Sequence, residues 1–155
     1  MIDENGLRPN VGIILINKNK DVFIGKRFYH KSWQFPQGGV DNGESALTAL
    51  YRELYEEIGL KPDKIKILDA TPDWIPYYLP EKYIRNSIPK CIGQKQKWFL
   101  LELTGKISDI NLRLNKKREF DSWQWTAHTE PAKIVIDFKQ EVYQNALNYF
   151  DKYFK

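Results

Sequence analysis

The sequence predicts a mixed β-sheet interleaved with helices, of the α/β or α+β class. Two observations support this. Residues 11–16 form a short apolar run, and after a polar turn residues 22–28 form a second one, which indicates an opening β-hairpin. Helical periodicity then appears at residues 46–58 and again from about Pro131 onward. An opening hairpin followed by alternating helices and strands favours a mixed sheet over a purely parallel one.

The composition predicts one ordered domain covering residues 1–155. Of these residues, 42% are hydrophobic and 14% aromatic, which suits a chain long enough for a proper core. No apolar run approaches the roughly 18–20 residues that span a bilayer, and the N-terminus lacks the layout of a signal peptide. The single cysteine, Cys91, fits a reducing cytoplasm. Because no apolar run could span a bilayer, we expect no membrane association. The formal charge of +4 weakly favours a polyanionic partner.

The remaining elements follow in chain order. Residues 72–93 contain four prolines and three tyrosines, and we interpret them as a long functional loop. A short extended piece is predicted at residues 32–37, and further strands at 64–71, 98–103 and 120–126. The C-terminal helix is predicted from apolar residues at helical spacing: Phe138, Val142, Tyr143, Ala146, Leu147 and Phe150.

The helix predicted at residues 46–58 carries the strongest chemical pattern. Glu53, Glu56 and Glu57 stand at positions i, i+3 and i+4, so a helix places all three carboxylates on one face. Their mutual repulsion becomes favourable only if a cation binds, and Mg²⁺ or Mn²⁺ suits carboxylate oxygens and phosphate substrates. Ser45 is the expected N-cap, and Gly59 the expected left-handed C-terminal stop.

An apolar stripe is expected on the side of this helix opposite the carboxylates. It would pack the helix onto the sheet. The residues that form it are Ala46, Leu47, Leu50, Leu54 and Ile58.

Taken alone, such an acidic run is usually only a solvated helix face. The wider pattern is more specific: Gly38, five residues, Glu44, seven residues, and then Arg-Glu-aliphatic-any-Glu-Glu-any-Gly-aliphatic over residues 52–60. This arrangement resembles the signature of the Nudix hydrolases, with every fixed position filled. The resemblance implies an α/β Nudix fold, in which a mixed sheet is sandwiched between helices.

Motifs outside this signature narrow the resemblance. They are Arg8-Pro9-Asn10-Val11-Gly12, Ser32-Trp33-Gln34-Phe35-Pro36-Gln37-Gly38-Gly39, the stretch from Cys91 to Phe99, Glu119-Phe120-Asp121 and Phe138-Lys139. They are similar to the bacterial RNA pyrophosphohydrolases, also called dinucleoside polyphosphate hydrolases, over nearly the whole chain. The resemblance implies removal of pyrophosphate from the 5′ end of triphosphorylated RNA, or asymmetric cleavage of diadenosine tetraphosphate to ATP and AMP. A catalytically silent RNA-end-binding module is the third reading, although the intact carboxylates speak against it. We expect no DNA partner, and nothing in the sequence identifies a protein partner.

The resemblance also implies roles for the carboxylates. Glu53 and Glu57 would be the main ligands of Mg²⁺ or Mn²⁺, and Glu56 a ligand or the base. Glu119 is implied as a further ligand or base, and its alternative is an ordinary loop carboxylate. Gly38 is a candidate to offer its carbonyl to the metal. We expect Glu44 and Arg52 to form a structural ion pair, with no role in chemistry.

Substrate contacts are implied in the same way. The phosphate-binding candidates are Arg8, Arg27, Ser32, Tyr77 and Lys139, with Phe138 near a base. The alternative for the basic residues is an ordinary surface charge, and for Phe138 it is core packing. His30 and His128 lack metal-ligand spacing, so we interpret both as structural. The run at residues 116–118 is either a charged turn or an RNA-facing patch.

Overall fold

The computed structural model describes residues 1–155 and contains one eight-stranded mixed sheet. Its elements, in chain order, are β1 (Leu7–Ile16), β2 (Val22–Arg27), β3 (Trp33–Gln34), β4 (Gln37–Gly39), α1 (Ala46–Ile58), β5 (Ile65–Ala70), β6 (Ile75–Tyr78), β7 (Gly93–Leu103), β8 (Phe120–Thr126), α2 (Pro131–Ile134) and α3 (Asp137–Tyr149). The main path of the sheet runs β3-β2-β1-β7-β5, while β4 pairs with β1, β6 with β7, and β8 with β2.

The sheet is mixed, as the sequence predicts. β1 and β2 are antiparallel, whereas β1 and β7 run parallel with Leu7 opposite Gly93. Helices cover both faces of the sheet, since alternate residues of β1 belong to two separate apolar clusters. Ile13 packs with Leu50 of α1, while Ile14 packs with Tyr143 of α3. Coverage of both faces explains why residues 13–16 of β1 are apolar at every position instead of alternating.

Residues 72–93 depart from the loop that the sequence predicts. Residues 75–78 form β6, which pairs antiparallel with the start of β7. A strand was hard to predict here because Pro76 cannot donate a hydrogen bond to a neighbouring strand. β6 nevertheless forms, because it has only β7 as a neighbour and an edge strand tolerates proline. The pairing extends β7 back to Gly93, five residues earlier than predicted. No helix is long and apolar enough to cross a membrane.

Candidate active site

The candidate site lies where the sheet opens between β1 and β2. These strands pair at Ile16 and Val22 and then diverge, because β1 continues along β4 while β2 continues along β3 and β8. The short β4 ends at Gly39 and leads through a loop into α1. A Cβ atom built on Gly38 would overlap the Glu53 carboxylate, so only glycine lets α1 bring this side chain against the strand backbone.

Helix α1 begins and ends where its caps predict. The Ser45 hydroxyl accepts a hydrogen bond from the Thr48 N–H at 3.1 Å, and Gly59 has a left-handed φ of 76°. The predicted apolar stripe needs two corrections. Leu47 is exposed because it lies on the first turn, beyond the edge of the sheet contact, and Ala49 is buried instead. Glu57 follows Leu50 by seven residues, so it lies within the buried face rather than opposite it.

Glu57 is the only buried acidic residue of the protein. It is 7% exposed, and its Oε2 atom is buried without a hydrogen-bond partner. Burial raises the pKa of Glu57 well above its usual value, and the negative charges of Glu53 and Glu119 raise it further. A hydrogen bond from the backbone N–H of Gln37 opposes this pKa shift. A buried, unpaired carboxylate beside two others is costly for the fold, which indicates a site shaped to receive a cation.

Arg52 fixes the neighbouring carboxylates from the outer side. Its Nε and Nη2 atoms donate to the two Glu44 oxygens at 2.8 and 2.9 Å, and Nη2 also donates to the Gly39 carbonyl at 2.7 Å. The predicted Glu44–Arg52 ion pair therefore forms, and it ties the loop to α1. The Nη1 atom donates to Glu53 at 2.7 Å and to Glu56 at 3.3 Å. Burial raises the pKa of Glu53, Arg52 lowers it, and the Glu56 charge raises it again.

This ion pair predicts a pH dependence of stability. Hydrogen bonds from Arg52 and from the Asp41 N–H lower the pKa of Glu44 from 4.5 to about 2. Because the folded-state pKa is depressed, the stabilising contribution is complete above pH 4.5 and is lost as the pH falls toward about 2. In urea titrations over this pH interval, we expect Glu44→Gln to show a smaller acid-induced loss of unfolding free energy than the wild type. Glu102→Gln, at the far end of β7, is the matched control, and equal losses in all three proteins would contradict the assignment.

Glu119 faces the α1 carboxylates from the start of β8. The Phe28 N–H donates to its backbone carbonyl at 2.8 Å, which joins this segment to the end of β2. Its carboxylate pairs with Arg27 Nε at 3.4 Å. Burial and the positive charge of Arg27 lower the pKa of the nearby Lys139 to about 8, although the negative charges of Glu119 and Glu57 act to raise it. Three carboxylates from two distant segments thus meet two cations in one small region.

The carboxylates fit a divalent cation by chemistry and burial. Oxygen donors of this kind suit Mg²⁺ and Mn²⁺, and the unpartnered Oε2 of Glu57 supplies a free ligand atom. In this conformation no three acidic, histidine or cysteine side chains converge closely enough to hold one ion together. Arg52 accounts for part of this, because it holds oxygens of Glu53 and Glu56 in ion pairs. Gly38 lies beside these carboxylates, because its backbone is in contact with the carboxylate of Glu53.

A cleft of about 500 Å³ adjoins the carboxylates and contains most of the predicted substrate contacts. Of these, Arg27, Ser32, Phe138 and Lys139 line it, together with His30 and the exposed Ile134 and Ile136. Phe138 is half-buried and belongs to neither apolar cluster, so it is available to the cleft rather than to the core.

Two predicted contacts lie outside this cleft. Arg8 lines a separate pocket, and Tyr77 is 7% exposed with its hydroxyl donating to Gln94 at 2.7 Å. Sequence reasoning also missed Tyr83, which lines both cavities. The only feature of the sequence that could have indicated Tyr83 is its position in a proline-rich segment next to basic residues.

The basic run at residues 116–118 ends at the site. Lys117 and Arg118 line a smaller cavity of about 260 Å³ with Arg27 and Glu119, and the Arg118 guanidinium lies 5.0 Å from the Phe28 ring centroid. This places positive charge beside Glu119, as the RNA-facing alternative requires. His128 stacks on Phe154 at 4.4 Å, which agrees with a structural role, whereas His30 is exposed at the cleft.

Comparison with known proteins identifies the family. Residues 6–146 match the NUDIX domain family. Proteins named RNA pyrophosphohydrolase from Francisella tularensis subsp. mediasiatica and Francisella philomiragia are 52% and 51% identical over 153 residues, covering 99% of each chain.

Solved structures share the fold at much lower identity. The Escherichia coli dihydroneopterin triphosphate pyrophosphohydrolase has a TM-score of 0.70 at 16% identity, covering 90% of this chain and 95% of its own. A binary complex of a Caenorhabditis elegans Ap4A hydrolase has a TM-score of 0.66 at 17% identity, covering 94% of this chain and 99% of its own. A bifunctional NMN adenylyltransferase/ADP ribose pyrophosphatase from Francisella tularensis, complexed with AMP and Mn ion, has a TM-score of 0.60 at 18% identity; the match covers 92% of this chain and 41% of that one.

Proposed function

This chain belongs to the Nudix family, and we propose that it is a metal-dependent hydrolase that removes pyrophosphate from the 5′ end of triphosphorylated RNA. The observation that carries the proposal is the buried Glu57, whose Oε2 atom lacks a partner beside Glu53 and Glu119. The high identity to proteins named RNA pyrophosphohydrolase supports the choice of substrate. The reaction consumes one water, breaks the anhydride between the α and β phosphates, and yields pyrophosphate and a 5′-monophosphate.

Glu53 and Glu57 would hold the divalent cation, Mg²⁺ or Mn²⁺, with Gly38 close to Glu53. When bound, this ion neutralises phosphate oxygens, acidifies water and stabilises the leaving group. Glu119 accepts the proton of the attacking water at its carboxylate in this proposal, because it lies close enough to Glu57 for its charge to raise the pKa of Glu57. The Arg27 Nε atom lies 3.4 Å from a Glu119 carboxylate oxygen, and this ion pair restricts the positions that the carboxylate can take.

The cleft binds the 5′-terminal nucleotide. Arg27 and Lys139 supply positive charge for the phosphates, and Ser32 supplies a hydroxyl in the same cleft. Phe138 presents an aromatic surface against which a base packs. The buried Lys139 has few alternative positions, so it defines where a phosphate must lie relative to Glu57 and Glu119.

Product analysis tests this proposal. Triphosphorylated RNA incubated with the protein and Mg²⁺ is expected to give one pyrophosphate for each 5′-monophosphate end. A chelator is expected to abolish turnover, and Mg²⁺ or Mn²⁺ to restore it. Binding of RNA ends without turnover in either metal would overturn the proposal in favour of a non-catalytic binding module.

The alternative substrate is diadenosine tetraphosphate, cleaved asymmetrically to ATP and AMP. It contains the same phosphoric anhydride, so the same carboxylates and cation would serve. The charge of the wider surface favours RNA, because basic residues continue past the cleft to Arg8 and Arg85 in a second pocket.

A further inference from the structure

The smaller cavity beside Glu119, of about 260 Å³, is lined mainly by charged side chains. The residues in its walls are Arg27, Tyr29, His30, Lys117, Arg118 and Glu119. The larger cleft has five hydrophobic residues in its walls, whereas this cavity has one, Tyr29. The larger cleft therefore suits a nucleoside, and the smaller cavity suits a small, highly charged group.

The two cavities adjoin at the carboxylates. Arg27 and His30 line both of them. Glu119 lies in the wall of the smaller cavity, and its charge acts on Glu57. A chain of phosphates whose nucleoside lies in the larger cleft would therefore pass these carboxylates and enter the smaller cavity.

Lys117 and Arg118 are available to an anion. Neither forms an ion pair with a carboxylate of the protein. The Arg118 guanidinium lies 5.0 Å from the Phe28 ring centroid, and the Phe28 N–H donates to the Glu119 carbonyl at 2.8 Å. Packing on this ring restricts the guanidinium to a position beside Glu119, so less conformational freedom is lost when an anion binds.

The balance of charge indicates a ligand with several negative charges. Of the four charged side chains in the walls, three are cations, and the one carboxylate, that of Glu119, already pairs with Arg27 at 3.4 Å. Gathering three cations in one cavity is electrostatically unfavourable by itself, and an anion that lies between them removes the repulsion. Arginine contacts phosphate oxygens in a forked geometry and lysine as a point charge, so one phosphate group can engage both residues.

We propose that the smaller cavity binds the two distal phosphates of the substrate, which are released as pyrophosphate, and that Lys117 and Arg118 contact the terminal phosphate. The inference rests on the proposed function, since it takes the larger cleft as the site of the 5′-terminal nucleotide. Arg27, at the junction, contacts phosphates on both sides of the bond that breaks. Each product then lies in its own cavity, the 5′-monophosphate end in the larger one and pyrophosphate in the smaller one.

Product inhibition tests this assignment, because the two products occupy different cavities. Turnover of a short triphosphorylated RNA is measured at constant free Mg²⁺ with added inorganic pyrophosphate or added 5′-monophosphorylated RNA. Arg118→Ala is expected to weaken inhibition by pyrophosphate about 10-fold, because a charge-assisted hydrogen bond is lost, and to leave inhibition by the monophosphorylated RNA unchanged. Lys117→Ala is expected to show the same pattern with a smaller effect, and Arg118→Lys to recover part of the inhibition.

Arg113→Ala is the matched charge control, because Arg113 is exposed in the same loop and lines neither cavity. It is expected to change neither inhibition constant. Equal weakening of inhibition by both products in Arg118→Ala and Lys117→Ala would show that the loop merely supports Glu119 and the cleft, and would overturn the inference. An active wild type that pyrophosphate does not inhibit would overturn it as well. If the wild type turns over no triphosphorylated RNA, the proposed function itself fails, and that result is distinct from the other two.

Discussion

Replacing Glu57 by glutamine is expected to lower kcat/KM for triphosphorylated RNA by about 10³-fold, because the substitution removes a charged oxygen donor from the cation site. The same change is expected to make the metal-free protein more stable at neutral pH. The folded-state pKa of Glu57 lies well above that of the unfolded chain, so the folded state loses stability as the pH rises from the usual glutamate pKa toward the raised one. Glutamine has no charge to bury and avoids this loss.

Thermal unfolding in chelator and steady-state kinetics in Mg²⁺ measure the two effects on the same preparations. Glu102→Gln, a half-buried carboxylate at the far end of β7, is the control and is expected to change neither quantity. Full activity in Glu57→Gln would mean that the buried carboxylate does not serve the chemistry. Loss of activity together with loss of stability would indicate a structural role instead.

Replacing Gly38 by alanine is expected to lower kcat/KM by about 10- to 100-fold, because a displaced metal-binding carboxylate is costly. The new methyl group would occupy the space of the Glu53 carboxylate. Since that carboxylate is the far end of a flexible side chain, it can move aside, and we expect the free energy of unfolding to change by less than about 1 kcal/mol.

Gly39→Ala is a closely matched control for this substitution. The two glycines are adjacent in β4, but a Cβ atom on Gly39 meets nothing within 4 Å. Kinetics and urea unfolding of both variants are compared with the wild type. If Gly38→Ala and Gly39→Ala lose activity equally, the loss reflects flexibility of β4 and not the position of Glu53.

Local signals made much of the fold predictable. Helix α1 follows from Ser45 and Gly59, because both caps act through hydrogen bonds and backbone angles within a few residues. β8 has the predicted bounds since its alternation is a local pattern too. The Nudix resemblance supplied the arrangement of the sheet between helices, which periodicity alone could not supply.

The features that escaped prediction depend on contacts distant in sequence. β6 forms because it pairs with β7. Its own four residues do not predict a strand, because Pro76 is among them. Glu57 was expected on the face of α1 opposite the apolar stripe, but it lies within the buried face of the helix. Tyr83 could be placed between two cavities only once β1, β7 and α3 had been positioned around it.

A direct competition tests the central claim most closely. A short triphosphorylated RNA and diadenosine tetraphosphate are mixed with the protein at fixed Mg²⁺, and kcat/KM for each is obtained from product formation. We expect a strong preference for the RNA, with pyrophosphate and 5′-monophosphate ends as products. A preference for the dinucleotide, with the RNA left intact, would contradict the account and assign the protein to nucleotide hydrolysis.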